Sequence, residues 1–361
     1  MTVPFRIIDT GVREGRANIA FDAALIEARQ DGLVPDTIRF LRFPATALIG
    51  RHQDLSREVD LDYCAEHGIG LVRRITGGGA IYLDERQLGW ELVFERSALG
   101  VAALPEVTEK ICTSIAAGLS RLGVDARFRP RNDIEVDGRK ISGTGGFYDG
   151  DVLIYQGTVL IDLDADRMVS ALRVPDSKLA KRELDSAAER VVTLRNLLGN
   201  DAPSIPEVQA ALVDGLCDGL GVEAEWGEIS PDEERLALRA FDKEIGTQEF
   251  LHEIDNAADD EGVLTGSHTS AGGTIDAYAK LEGPTREILQ RVLLTGDFFV
   301  TPPRFVLDLE AHLAGTRLDE IASAVDRFFA EHQTDTLSVL PGDFVSAISS
   351  ALEQADHDKL Q

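Results

Sequence analysis

The feature that most constrains this chain is Arg73-Arg74-Ile75-Thr76-Gly77-Gly78-Gly79-Ala80-Ile81-Tyr82, three consecutive glycines between apolar segments that read as strands. Glycine in a regular element costs about 0.5–1 kcal/mol relative to alanine, because it loses more backbone freedom on folding. A run of three therefore implies a loop whose backbone approaches something closely, or turns its N–H groups toward it. Bare N–H groups beside two arginines suit an anion such as a phosphate or carboxylate. A plain glycine-rich turn would read the same way, so the run needs support from elsewhere in the chain.

That support comes from two further segments. Arg131-Asn132-Asp133-Ile134 is followed by Asp137-Gly138-Arg139-Lys140-Ile141-Ser142-Gly143-Thr144-Gly145-Gly146. Asp-Gly between two short apolar runs is a strong hairpin signal, joining strands at Asp133–Val136 and Arg139–Ser142. Lys140 then sits on a strand just past a tight turn, placed to bridge two negative groups. Without the neighbouring glycines it would read as an exposed hairpin lysine. In Tyr155-Gln156-Gly157-Thr158-Val159-Leu160-Ile161-Asp162 a glycine interrupts a strand. It marks either a close approach of ligand or backbone, or a bulge.

The rest of the chain reads as α+β. Helices are expected at Ala17–Arg29, Val59–Glu66, Glu106–Leu122 and Ile205–Leu220, and strands at Asp36–Phe43, Ala47–Gly50, Gly68–Arg74 and Asp151–Asp162. Ala80–Tyr82 and Gly89–Phe94 read as the two strands of a hairpin. The order is mixed rather than a regular βαβ alternation. A polar, breaker-rich stretch at 255–266 reads as a linker between a region 1–254 and a smaller region 267–361. The smaller region carries strands at Thr274–Lys280 and Ile288–Thr295 around a Gly283-Pro284 turn, then helices at Arg304–Leu313, Asp319–Ala330 and Phe344–Glu353. Two domains are what 361 residues lead one to expect.

A net charge of −27 opposes nucleic acid and anionic lipid. Basic residues are mostly arginine, so a lysine in a special context carries weight. The three cysteines form no CxxC pair and read as reduced, mostly buried thiols. The seven histidines form no cluster that would support a structural zinc site. No run is long and apolar enough for a membrane span, and the start lacks a basic segment followed by an apolar one. The expected location is the cytoplasm.

The three glycine-bearing segments, in this order, resemble the lipoate-protein ligase family of the biotin/lipoyl ligase superfamily. That family carries R-R-x-[ST]-G-G-G-A-V-Y-H-D, R-N-D-[IL], G-R-K-[IV]-S-G-[ST]-A and H-G-T-L-L; this chain answers with RRITGGGAIYLD, RNDIEVDGRKISGTG and YQGTVLID. Ser177-Lys178-Leu179-Ala180 and Arg190-Val191-Val192-Thr193-Leu194 extend the likeness. Gly272-Gly273-Thr274-Ile275, Gly296-Asp297-Phe298-Phe299 and Asp308-Leu309-Glu310 resemble the family's accessory C-terminal domain.

The resemblance implies a mixed-sheet α+β catalytic domain followed by a small α+β accessory domain. It implies an enzyme that activates lipoate with ATP and Mg2+ to lipoyl-AMP. The lipoyl group then passes to a lysine of an acceptor protein: an H protein, a 2-oxoacid dehydrogenase acyltransferase or a dedicated lipoate-binding protein. A monomer is the family default. Lys140 would be the essential lysine, contacting both the acyl carbonyl and the α-phosphate. Arg74, Thr76, Gly77, Gly78, Gly79, Asn132, Asp133, Gly143, Thr144, Gly157 and Thr158 would hold the nucleotide and the adenylate. Ile81, Leu83, Gln87, Leu88 and Gln156 would form the lipoyl pocket, and Asp133 would lie near Mg2+.

Leu83 and Gln156 stand where the family has histidine, which bears on acyl-chain selectivity, and Gly145 stands where the motif carries alanine. The rival reading nearest to the ligase is an octanoyltransferase of the same superfamily. Its cysteine-type members place a reactive Cys just upstream of the conserved lysine, yet Arg131–Val136 contains none. Cys112 lies well upstream on an expected helix. The G-R-G-R-x-x-R-x-W loop of biotin ligases is absent, and a non-catalytic lipoyl carrier or scaffold is the alternative outside the enzymes.

Overall fold

The computed structural model describes residues 4–100, 103–130, 132–173, 190–259, 261–283, 286–302, 304–332, 335–336 and 339–358. Ser177-Lys178-Leu179-Ala180 and the proline of the Gly283-Pro284 turn lie outside them. Among the described residues, the largest element is an eight-stranded sheet with the order β11-β1-β2-β6-β10-β9-β8-β7. Its strands are β1 (Phe5–Val12), β2 (Thr37–Arg42), β6 (Leu88–Glu95), β7 (Arg127–Arg129), β8 (Asp133–Val136), β9 (Arg139–Asp149), β10 (Val152–Val159) and β11 (Ala224–Trp226). β1 runs parallel to β2 and β11, and the remaining pairings are antiparallel.

Strand alternation sorts the side chains to two faces. Trp90, Leu92 and Phe94 of β6 enter a core with α4 (Leu104–Ser120) and the helix Ile205–Leu220. Val93 joins the opposite face with Ile8, Ile154 and residues of α1 (Gly15–Gln30) and the helix Pro231–Ala240. The helix expected at Ile205–Leu220 has those bounds; it is closed by Gly221 in a left-handed conformation. The Asp137-Gly138 turn has φ of +51° and +75°, the pair of positive values that a two-residue hairpin loop demands.

One expected pairing is corrected. β5 (Ile81–Leu83) and β6 do not form a hairpin. β5 pairs with β3 (Thr46–Ile49) in a small sheet completed by β4 (Gly70–Arg73), whereas β6 pairs with β2 and β10 in the large one. The turn between them, where Asp84 N–H donates to Gln87 Oε1, lets the chain cross from one sheet to the other.

The C-terminal region has an apolar core of its own, drawn from Leu264 to Ala351. It folds as an antiparallel sheet of β12 (Leu264–Ser270), β13 (Gly273–Glu282) and β14 (Ile288–Gly296), backed by helices at Phe305–Leu313, Ile321–Glu331 and Pro341–Asp358. No helix among the described residues is long and apolar enough to cross a membrane.

This region abuts the first through a polar seam. Arg57, on the short helix α2 (Leu55–Glu58), donates to the Tyr278 hydroxyl and lies 4.0 Å from Asp276. Glu58 beside it faces Asp297, Asp276 and Asp54 as well as Arg57; burial, then Asp297 and Asp276, push its carboxyl up to about 7. Burial likewise lifts Glu310 to about 7, although it accepts the Leu294 N–H, and Glu253 across the seam adds to the effect. Both carboxyls bind a proton more tightly in the folded protein than as free side chains. Their contribution to stability is therefore full below the ordinary glutamate range and is lost as pH rises through about 7, where charge repulsion across the seam also grows. Hydrogen exchange across β13 and α2 should speed up over that window beyond its intrinsic pH dependence. Glu58→Gln should flatten the trend; an unchanged profile in that variant would show that Glu58 has no part in it.

Candidate functional site

The triglycine loop is shaped by its own arginines. Arg74 Nη2 donates to the carbonyls of Gly77 (2.7 Å) and Gly79 (2.9 Å), while its Nε donates to Gly77 again. Its guanidinium is buried, which pulls its pKa down to about 10. Arg73 donates to the carbonyls of Gly50, Arg51, Gln53, Phe250, Leu251 and Ile254. Both cations are thus engaged by main chain. Gly78 has φ of +94°, and its N–H donates to Phe298 O at 3.0 Å.

Beside the loop lies a cavity of about 550 Å3. Ile19, Leu41, Phe43, Leu48 and Leu83 give it an apolar wall; Thr76, Asn132, Asp133, Lys140, Gln156 and Thr158 give it a polar one. Most residues expected at the site meet here: Arg74, Thr76, Gly77, Gly79, Ile81, Leu83, Asn132, Asp133, Lys140, Gly143, Thr144, Gln156, Gly157 and Thr158 all line it. Gln87 and Leu88 do not. The Gln87 side chain closes the turn after β5, and Leu88 is fully buried in the core under α4. Gly78 is turned to Phe298 and Phe299 instead.

Lys140 is fixed at both ends. Its N–H donates to Arg190 O (2.8 Å) and its carbonyl accepts from Val192 N–H (2.9 Å), so the 190–192 segment is stitched to β9. Its Nζ meets Asp133 Oδ1 at 2.7 Å. The side chain lies back across Gly143, where a Cβ would stand 2.6 Å from Cε and Nζ. Asn132 and Thr144 exchange bonds: Asn132 Nδ2 donates to Thr144 O (2.6 Å), and Thr144 Oγ1 to Asn132 O (2.8 Å). Behind Thr144, its hydroxyl and that of Tyr155 lie 3.4 Å from the Cys112 thiol, which burial pushes upward in pKa.

A charged cluster lies beneath Gln156. Arg39, 0% exposed, pairs with Asp22 (2.7 Å) and Glu91 (2.9 Å) and donates to Asn18. Burial and the neighbouring Glu91 raise the pKa of Asp22 well above its ordinary value. One cation faces two carboxyls out of water, an arrangement that favours the neutral form of Asp22. Gln156 reaches it through Asp22 Oδ2 at 3.5 Å and accepts from the Thr76 hydroxyl at 3.2 Å. No single motif announces this cluster, because its members come from α1, β2 and β6.

Among the described residues, no group of three His, Cys, Asp or Glu side chains is placed to hold a metal ion. Asp133 alone fits Mg2+ only as one ligand of an ion that arrives on phosphates, a common mode for that ion. Sequence reasoning missed the cavity residues supplied by the C-terminal region, Gly272, Gly273, Asp297 and Phe299. The GDFF run was visible, but nothing in it said which way it faced.

Comparison with known proteins bears on the family and the fold. Residues 14–217, more than half of the chain, match the lipoyl protein ligase A/B catalytic domain. An octanoyltransferase, LipM, of Kyrpidia tusciae is 30% identical over 269 residues, covering 68% of this chain and 97% of that one. The crystal structure of a lipoate-protein ligase A bound with ATP superimposes with a TM-score of 0.62 at 28% identity, covering 70% of this chain and 100% of that one. P. falciparum LipL1 in complex with lipoate shares the fold over 98% of this chain and 100% of its own, with a TM-score of 0.72 at 14% identity. By its catalytic motifs and its fold, the chain belongs to the lipoyl protein ligase A/B family, with further α/β elements after the catalytic core.

Proposed function

We propose that this protein is an ATP-dependent lipoate-protein ligase, forming lipoyl-AMP and then an amide with a lysine of a lipoyl acceptor protein. The observation that carries this reading is Lys140, held over Gly143 on the polar wall of a cavity whose other wall is apolar. An eight-carbon acid needs both walls: one for its hydrocarbon body, one for its carboxylate. Among the described lining residues there is no cysteine. Cys112 is the nearest thiol behind the wall, and burial holds it in the unreactive protonated form. This favours adenylate chemistry over a thioester-forming octanoyltransferase.

The chemistry follows from charge. A carboxylate and a triphosphate repel, and their reaction concentrates negative charge on the α-phosphorus oxygens. Lys140 can leave Asp133 for the incoming anions and offset that charge where it develops. Mg2+ carried in on ATP would add charge neutralisation, with Asp133 the residue to hold it. In the second half-reaction the acceptor amine attacks the acyl carbonyl and AMP leaves. Candidate acceptors are an H protein, a 2-oxoacid dehydrogenase acyltransferase or a dedicated lipoate-binding protein.

Intact-mass measurement of a lipoyl acceptor domain, incubated with this protein and lipoate with and without MgATP, tests the reading. A lipoyl mass gain only with ATP is expected. A gain from octanoyl carrier protein without ATP would replace the ligase by a transferase. Lys140→Ala should lower lipoate-dependent pyrophosphate release by about 10²–10³-fold, the usual cost of removing one such charge stabiliser, with an unchanged circular dichroism spectrum. Gly143→Ala should lift the Lys140 side chain from its seat and reduce the same rate by about tenfold or more; an unaffected rate would show that the seat does not matter. Cys112→Ala should leave ligation intact, and loss of ligation in a folded variant would revive the thioester route.

A further inference from the structure

The Phe299 ring reaches out of the C-terminal region and touches both sides of the catalytic cavity. A Cβ on Gly78 would stand 2.5 Å from its Cζ, and a Cβ on Gly145 would also stand 2.5 Å from Cζ. The ring is thus wedged between the triglycine loop and β9, and either glycine changed to alanine would collide with it. Gly145 lies mid-strand, opposite Gln156 of β10 in an otherwise regular ladder. Nothing in the ladder requires glycine there, and a glycine in a strand interior weakens it. The alanine of the related motif would fit this backbone but not this ring.

The wedge is anchored from behind. Phe298 is fully buried, stacks on His52 with ring centroids 5.1 Å apart, and accepts the Gly78 N–H on its carbonyl. Gly296 N–H donates to His52 O at 2.9 Å. Asp297 accepts the Thr274 N–H and lines the cavity beside Gly272 and Gly273. With the ring in place the cavity still measures about 550 Å3, so Phe299 is one of its walls and not a plug.

We propose that Phe299 is the positioning residue by which the C-terminal region seals the catalytic cavity, and that glycine at position 145 is what admits its ring. The consequence rests on the ligase reading. In productive transfer, the acceptor amine's lone pair attacks the acyl carbonyl. The carbonyl C–O bond of the mixed anhydride breaks, AMP leaves with its electrons, and the amine proton passes to phosphate or solvent. In the wasteful reaction, water attacks the same carbon and yields free acid, AMP and a proton. A sealed cavity suppresses the second reaction until the acceptor arrives.

The experiment uses the full chain with lipoate and ATP and no acceptor. The wild type should release pyrophosphate in a burst and AMP slowly. Phe299→Ala should release AMP about tenfold faster while the pyrophosphate burst persists, and Phe299→Leu should restore retention. Gly145→Ala should leak like Phe299→Ala, and the double variant should leak no more than either, because the methyl then occupies space the ring has vacated. AMP release that is unchanged in Phe299→Ala, or additive in the double variant, would overturn the seal. Hydrogen exchange of the peptide spanning Gly77–Gly79 separates this from the catalytic assignment. It should quicken in both single variants without any substrate, and unchanged exchange would overturn the wedge itself. A wild type that makes no adenylate would fail the ligase reading alone, with the exchange result still deciding whether Phe299 is seated between Gly78 and Gly145.

Discussion

The site depends on two buried guanidiniums bound to main-chain carbonyls. A loop of three glycines has no side chains to hold it and many conformations to lose. Arg74 fixes it from inside by gathering the carbonyls of Gly77 and Gly79. Arg73 fixes its base by tying 50–53 to 250–254. Burial pulls both cations down to about 10, still far above neutrality, so they remain charged donors. The same bonds put the end of the catalytic region against the loop, and that sets where the C-terminal region begins and how its GDFF run can reach Gly78.

Both arginines are engaged by backbone, so on the proposed ligase reading an anionic substrate would be met by Lys140. Lys140 forms an ion pair with Asp133 at 2.7 Å. Breaking that pair is cheap at a half-exposed site and becomes favourable when a phosphate or carboxylate takes Asp133's place. Elsewhere on the polar lining, Arg39 and its two carboxyls are out of water and contact Gln156 through Asp22, so the polarity at Gln156 is set from beneath as well as by the pocket-facing side chain. This gives Gln156, at a position where related proteins carry histidine, a defined amide orientation in place of an ionisable ring.

Much of this was legible in the sequence, and the limits follow from physics. The Asp137-Gly138 turn and the Ile205–Leu220 helix carry local signals, positive φ and capping residues, that act within a few positions. The residues that line the cavity were legible because each motif places them on one short stretch of loop or strand. What failed was non-local. Ile81–Leu83 and Leu88–Glu95 look like hairpin partners, but strand pairing is chosen by whole sheets, and β5 finds β3 instead. Gln87 and Leu88, expected in the pocket, do not line the described cavity: the Gln87 side chain closes the turn after β5, and Leu88 is buried in the core. The Arg39 cluster and the Phe299 wedge each join residues far apart in the chain, and no periodicity reports such meetings.

The wedge also bears on how strongly Lys140 can act. A charge–charge interaction of this kind is several-fold stronger in a partly desolvated cavity than in open water. Gly272, Gly273, Asp297 and Phe299 of the C-terminal region line the cavity together with residues of the first region. On the proposed ligase reading, this lining would keep water from the activated carbonyl and lower the dielectric around Lys140. Glu58 and Glu310 oppose that closure as they ionise, since each then faces a carboxylate from the other region. The seam is thus held by apolar stacking of Phe298 on His52 and by Arg57, against a carboxyl repulsion that grows toward neutral pH. On the proposed ligase reading, an interface balanced in this way would stay closed over the reacting acid and still open for a protein acceptor, which a fully apolar seam of the same size would resist.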